Sequence, residues 1–152
     1  MGAEITAVCS TRNVNMVRSI GADFVIDYMK EDYTKNGKFY NVIIDNVGNR
    51  SIAENRKILS TQGTFVMIGF TSLKLLFKYM IQSPWRSKTT TQNFEMLDME
   101  INSSDLKYLA NLLDEGKIVS VIDRCYPFRE MKEAMHYLVQ GHARGKIVVQ
   151  VN

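Results

Sequence analysis

Along this chain, short apolar runs bounded by polar or glycine-containing stretches alternate with segments whose apolar residues recur every three or four positions. Within Glu4–Ser10, the residues Ile5, Ala7 and Val8 predict a strand. Val14, Val17 and Ile20, spaced by threes, predict a short amphipathic helix that Gly21 stops. Phe24-Val25-Ile26 predicts a second strand ending at Asp27-Tyr28, and Lys30 to Lys38, with few apolar anchors, reads as a loop or a surface helix. Tyr40 to Asp45 predicts a third strand, and its continuous apolar centre is what burial on both faces of a parallel sheet demands. Ser51 to Leu59 reads as a helix on Ile52, Ile58 and Leu59; Gly63 punctuates it, and Thr64 to Phe70 predicts a fourth strand. Strand–helix–strand alternation with short connections points to a doubly wound α/β sheet.

The pattern changes after Thr71. Leu73 to Ile81 predicts a helix, followed by a loop through Pro84, Trp85 and Thr89-Thr90-Thr91 and a strand near Thr90–Leu97. Asn102-Ser103-Ser104-Asp105 is an N-cap cluster ahead of Leu106, Leu109, Leu112 and Leu113, a helix closed by Gly116. Ile118 to Ile122 predicts another strand. Met131, Ala134, Met135, Leu138 and Val139 then mark one face of a last helix, and Lys146 to Val151 a closing strand. There is no internal repeat and no low-complexity linker.

Charge and composition change this picture by exclusion. A net charge of +3, dispersed over 19 Lys+Arg and 16 Asp+Glu, gives no basic face for nucleic acid. No apolar run approaches the roughly 20 residues of a membrane span, since Lys74 and Lys78 interrupt Leu73–Ile81. Glu4 stands where a secretory leader would have a basic flank. Cys9 and Cys125 are far apart and have no zinc-ligand spacing, which predicts two reduced thiols in a cytoplasmic protein and no metal. His136 and His142 have no carboxylate or cysteine at ligand spacing and read as structural histidines. No G-x-S-x-G elbow surrounds Ser10, so it is not read as a nucleophile.

Six segments in order carry a resemblance: CSTRN with SIGADFVIDY, then YNVIIDNVG, GTFVMIGF, DEGKI, YPFREMKEAM and GHARGKIVV. The chain resembles the zinc-free medium-chain dehydrogenase/reductases, on their quinone oxidoreductase branch, over the later part of that family's chain. The resemblance implies an α/β fold: an incomplete Rossmann-like doubly wound parallel sheet lacking the first strand and Gly-rich turn, with a C-terminal remnant of the catalytic domain. Residues 1–118 would form the partial nucleotide-binding domain and residues 119–152 the strand–helix–strand remnant. No G-x-G-x-x-G turn occurs in the chain, so the segment that cradles a pyrophosphate in this fold is not within it. In the 3-2-1-4-5-6 strand order the absent strand would lie between the first and third strands read here. That gap would be closed by rearrangement or filled by another chain, and self-association is expected.

The resemblance also nominates a cofactor site. Cys9-Ser10-Thr11-Arg12-Asn13 follows the first strand with hydroxyls, one guanidinium and no carboxylate, chemistry that suits the 2′-phosphate of NADP rather than the bare ribose of NAD. The plainer alternative is a polar turn with a solvent-facing Arg12. Tyr28 is placed beside the adenosine and its phosphate; the plainer role is packing. Val47 and Gly48 after the third strand, and Gly69 and Phe70 after the fourth, are placed near the ribose and nicotinamide half. Arg144 and Lys146 lie in a segment that approaches the cofactor cleft in relatives, or in a solvated basic turn. The stretch Phe77–Trp85 would line a substrate entrance or a dimer contact, or simply pack in the core.

The expected function is an NAD(P)H-dependent oxidoreductase domain. Its parent would pass hydride from NADPH to a quinone or an activated alkene or carbonyl, a small-molecule substrate, and the present chain would be weak or inactive alone. The alternative is a non-catalytic nucleotide-binding or self-association module. A methyltransferase-like domain fits less well, because no acidic residue ends the first strand. The sequence names no catalytic residue.

Overall fold

The computed structural model of the protein describes residues 2–71, 73, 74, 77, 81, 91–97 and 100–151. Its elements in chain order are β1 (Thr6–Cys9), α1 (Val14–Ser19), β2 (Phe24–Asp27), β3 (Tyr40–Asp45), α2 (Ile52–Ile58), β4 (Leu59–Met67), β5 (Asn93–Met96), α3 (Ser103–Asp114), β6 (Ile122–Pro127), α4 (Met131–Val139) and β7 (Lys146–Gln150). Two compact units emerge: Met1–Val25 with Ile101–Asn152, and Ile26–Glu100.

In the second unit, β3, β4 and β5 form a parallel sheet in that order. The β3–α2–β4 crossover is the supersecondary unit that parallel pairing requires. Ser51 starts α2 with a capping box: its hydroxyl accepts from the Glu54 amide at 3.3 Å, and the Glu54 carboxylate accepts from the Ser51 amide at 2.9 Å. Ile52, Leu59, Phe65, Met67 and Phe94 make the core, with Ile43 packed against it. Phe65 is fully buried and meets Phe94 at 6.1 Å between ring centroids. The Gln92 amide donates to the carbonyls of Leu59 at 2.9 Å and Ser60 at 3.2 Å, tying the entry of β5 to the end of α2.

Three sequence expectations shift. β4 begins at Leu59, not Thr64, because the pairing slips between Tyr40↔Leu59 and Val42↔Thr64, and this bulge absorbs Ser60–Gly63. Burial of β3 on both faces is not met among the described residues: Ile43 packs on the core, while Val42 and Ile44 are 57% and 60% exposed. Of the helix expected over 73–81, the described residues 73, 74, 77 and 81 are helical, and the rest lies outside the described residues, as do Pro84 and Trp85.

The other unit holds β1, α1, α3 and a parallel β6–α4–β7 motif. β6 lies at Ile122–Pro127 rather than Ile118–Ile122. Its place is set by the ladder with β7, in which Arg124 pairs with Ile147 and Tyr126 with Val149, and not by the apolar run before it. Among the described residues the strands form three sheets, β1–β2, β3–β4–β5 and β6–β7. No β1–β3 pairing occurs among the described residues.

Candidate functional site

The turn after β1 collects the first set of nominated residues. Ser10 is extended and half-buried, and its hydroxyl caps no backbone amide; Thr11–Asn13 then form one 3-10 turn, closed by Asn13 N–H donating to the Ser10 carbonyl at 2.8 Å. A second guanidinium reaches this turn from across the unit. Arg144, just ahead of β7, donates through Nη2 to the Arg12 carbonyl at 2.6 Å and through Nε to Asn13 Oδ1 at 3.2 Å. Arg144 therefore faces the turn while its side chain stays exposed. Neither Arg12 nor Arg144 forms an ion pair among the described residues, so two exposed positive charges stand at one turn.

Asp123 anchors this arm. Its Oδ2 accepts the Arg144 amide at 3.1 Å and the Tyr137 hydroxyl at 2.9 Å, and these two hydrogen bonds, the first foremost, hold its carboxyl below the ordinary range. Arg124 lies over the Tyr137 ring at 3.9 Å and completes the cluster.

The second set stands at the carboxyl ends of β3 and β4, which run in register up to Asp45↔Met67. Asp45 Oδ1 accepts the amides of Val47 at 3.0 Å and Gly48 at 2.8 Å, while its carbonyl accepts Ile68 N–H at 2.9 Å. The two turns then touch backbone to backbone. A Cβ on Gly48, whose φ is +61°, would collide with the Gly69 carbonyl and lie 2.6 Å from Phe70 Cα; one on Gly69 would collide with the Asn46 carbonyl. Val47 and Phe70, 50% and 45% exposed, flank this bare backbone. Tyr28 follows β2 in the same unit as this set and is 55% exposed.

Sequence reading missed the network behind β3. Arg50 bridges Asp32 at 3.4 Å and Glu54 at 3.1 Å, and its guanidinium lies 5.8 Å from the Tyr33 ring centroid. Tyr33 donates its hydroxyl to Asn55 Oδ1 at 3.2 Å. Burial first, then the charge of Asp45, push the phenol up to about 12. Thr34 lowers Asp32 by hydroxyl and amide donation, and Ser51 does the same for Glu54. Asp45 Oδ2 and Asn55 Nδ2 are buried with no hydrogen-bond partner. A partner spacing of 18 residues, as between Asp32 and Arg50, leaves no local motif to read.

Each donor set, taken by itself, has chemistry that suits one part of a nicotinamide dinucleotide. Two guanidinia and a hydroxyl suit a phosphate. At the β3–β4 end the amides of Val47 and Gly48 are already spent on Asp45, which leaves apolar surface and backbone suited to a flat ring. Among the described residues, no group of three or more His, Cys, Asp or Glu could hold a metal ion. No helix among them is long and apolar enough to cross a membrane.

Parallel strands with helical crossovers define an α/β class whose open sheets take ligands outside the strands' carboxyl ends. Within it, the family model described as zinc-binding dehydrogenase matches residues 20–149, and the chain belongs to that family of medium-chain dehydrogenase/reductases. Its relatives include the mitochondrial NAD(P)H oxidoreductase RTN4IP1 of Mus musculus, 32% identical over 99% of this chain and 42% of its own length. The chloroplast envelope quinone oxidoreductase homolog of Arabidopsis thaliana is 28% identical over 97% of this chain and 45% of its own length. The structure of the quinone oxidoreductase from Coxiella burnetii superposes with a TM-score of 0.77 at 25% identity, over 99% of this chain and 46% of that one. The chain thus spans less than half the length of these proteins.

Proposed function

We propose that the chain is the cofactor-binding part of an NADPH-dependent oxidoreductase whose substrate is a quinone or an activated alkene or carbonyl. The observation that carries this reading is the pair of guanidinia, Arg12 and Arg144, at a turn that holds a hydroxyl and no carboxylate. Ser10, Arg12 and Asn13, with Tyr28, are assigned to the adenosine 2′-phosphate end. Val47, Gly48, Gly69 and Phe70 are assigned to the ribose and nicotinamide end. When bound, the nicotinamide supplies the hydride. The residues of this chain bind and orient: Asp45 fixes the Val47–Gly48 turn, the Gly48–Gly69 contact keeps side chains out of the crevice, and Val47 and Phe70 present apolar surface that excludes water.

Residues 1–118 are read as the partial nucleotide-binding domain and 119–152 as a piece of the catalytic domain; the latter range holds the parallel β6–α4–β7 motif, which lies in one compact unit with Met1–Val25. Among the described residues no group is placed as a general acid, and turnover by the chain alone is expected to be weak or nil. Cys9 and Cys125, far apart in the sequence, suit a reducing compartment, the cytoplasm in this reading. Self-association is the second reading, favoured by β3 at the sheet edge with Val42 and Ile44 exposed.

Fluorescence titration of the chain with NADPH and NADH in parallel tests the proposal. Saturable binding that prefers NADPH, and loses that preference in Arg12→Gln, is expected. Equal binding of both nucleotides, or binding of neither, overturns it. A concentration-independent monomer in light scattering overturns self-association.

A further inference from the structure

We propose that the cavity between β6 and α4 is a second ligand site, one that takes a small phosphate monoester whose organic part carries hydroxyl groups. The cavity has a volume of about 490 Å³ and lies wholly within the unit formed by Met1–Val25 and Ile101–Asn152. It shares no residue with either nominated nucleotide set, so it stands whether or not the nicotinamide reading does. Sites for small organic ligands run roughly 300–1,000 Å³, and a bare inorganic anion would leave this one largely unfilled.

The chemistry of the cavity is built around one guanidinium. Arg124 lies 3.9 Å from the Tyr137 ring centroid and donates to the Tyr126 side chain, so one face and one edge of its plane are fixed. No carboxylate claims it: among the described residues Arg124 forms no ion pair, whereas Arg50 holds two. The adjacent carboxylate, Asp123, is occupied by the Arg144 amide at 3.1 Å and the Tyr137 hydroxyl at 2.9 Å. A guanidinium already fixed in place loses little freedom on taking an oxyanion, and its planar fork matches two oxygens of a phosphate.

The helix supplies the rest. Lys132 and His136, four residues apart on one stripe of α4, both line the cavity. Lys132 adds a second positive charge that has no ion pair among the described residues, and the His136 ring offers an N–H in either protonation state. Glu133 lines the same cavity and repels a phosphate, which therefore belongs with Arg124 and Lys132. The Glu133 carboxylate and the Gln140 amide are left to engage hydroxyl groups.

The test titrates glucose 6-phosphate, glucose and inorganic phosphate calorimetrically into the chain and its variants, with thermal melts alongside. Glucose 6-phosphate should bind about tenfold more tightly than either of the other two. Arg124→Gln should weaken it about tenfold, the scale of one charge-assisted hydrogen bond. Arg124→Lys should recover part of that loss, because the charge returns without the fork. Lys132→Gln, at an exposed helix position, should weaken it several-fold, and it keeps the proposal open to refutation if Arg124→Gln fails to fold. Glu133→Gln should tighten inorganic phosphate and narrow the advantage of glucose 6-phosphate over it. Saturating NADPH should leave the titration unchanged. The proposal fails, and the nicotinamide reading stands, if glucose 6-phosphate does not bind, if it binds no better than inorganic phosphate, or if the charge variants bind it as the wild type does. Displacement of the sugar phosphate by NADPH also overturns it, since the phosphate would then sit in the nucleotide site.

Discussion

Adding one methyl group at Gly48 should open the crevice between β3 and β4, and its cost can be divided into two parts with neighbouring controls. Gly48 has φ +61°, so alanine there pays the left-handed backbone penalty of about 1 kcal/mol. Its Cβ would also run into the Gly69 carbonyl and lie 2.6 Å from Phe70 Cα, both backbone atoms of the adjoining turn. Relief requires the turns to part, an overpacking cost of about 2 kcal/mol. Gly37 has φ +74° with nothing within 4 Å of an added Cβ, so Gly37→Ala isolates the backbone part. Gly69 has no left-handed φ and would meet the Asn46 carbonyl, so Gly69→Ala isolates the steric part. All three belong to the Ile26–Glu100 unit. Urea denaturation followed by circular dichroism should show losses near 1 kcal/mol for Gly37→Ala, near 2 for Gly69→Ala and near 3 for Gly48→Ala, each to about 1 kcal/mol. Nucleotide titration should find binding retained in Gly37→Ala and lost in the other two. If Gly48→Ala is no less stable than Gly37→Ala, the backbone contact is not tight and the crevice has been misread.

Other expectations follow from the packing and charges behind the crevice. Tyr33 holds its proton up to about 12 in the folded chain, against about 10 when unfolded, so the stability it contributes is present below pH 10 and lost as pH rises through about 12. Alkaline denaturation with phenolate absorbance should show this, and an identical alkaline loss in Tyr33→Phe would contradict it. Asp32 and Glu54 titrate below their ordinary values, so their contribution is present above the usual carboxylate range and lost as pH falls through the lowered values. Ser51→Ala removes the capping box and should cost about 1 kcal/mol at neutral pH. The difference should narrow in melts at acid pH, where Glu54 is protonated in both proteins. Phe65→Ala, at a fully buried position, should cost about 3–5 kcal/mol in urea denaturation and leave the Arg144 contact intact.

What local sequence reveals here is governed by how local the determining physics is. β3 matches its expected bounds because Asn41 and Asp45 bracket the apolar run Val42–Ile44. α3 starts where the N-cap cluster placed it, with Asn102 Oδ1 accepting the Asp105 amide at 2.9 Å. β6 lies four residues downstream of its expected start because Asp123 is tolerable in a strand once Tyr137 and Arg144 satisfy its carboxylate. The early start of β4 is a pairing slip that no period-two pattern announces. The family resemblance holds across the chain, yet the Asp32–Arg50–Glu54 network and the reach of Arg144 depend on pairings that form only after folding.

The two candidate sets of residues accordingly differ in how they tolerate change. At the β3–β4 end the determinant is backbone: Asp45 saturates two amides, and glycine is required because any side chain collides. A single substitution there changes shape, and the loss should affect every nucleotide alike. At the β1 turn the determinant is charge on flexible arms, one of them carried from the far end of the chain. Substitution there leaves the backbone in place and changes which phosphate pattern is preferred. Selectivity should therefore vary with residues 12, 123 and 144 while binding as such varies with residues 45, 48 and 69. An Arg12→Gln, Arg144→Gln double variant should thus still bind AMP, with its preference for adenosine 2′,5′-bisphosphate gone and its melting little moved.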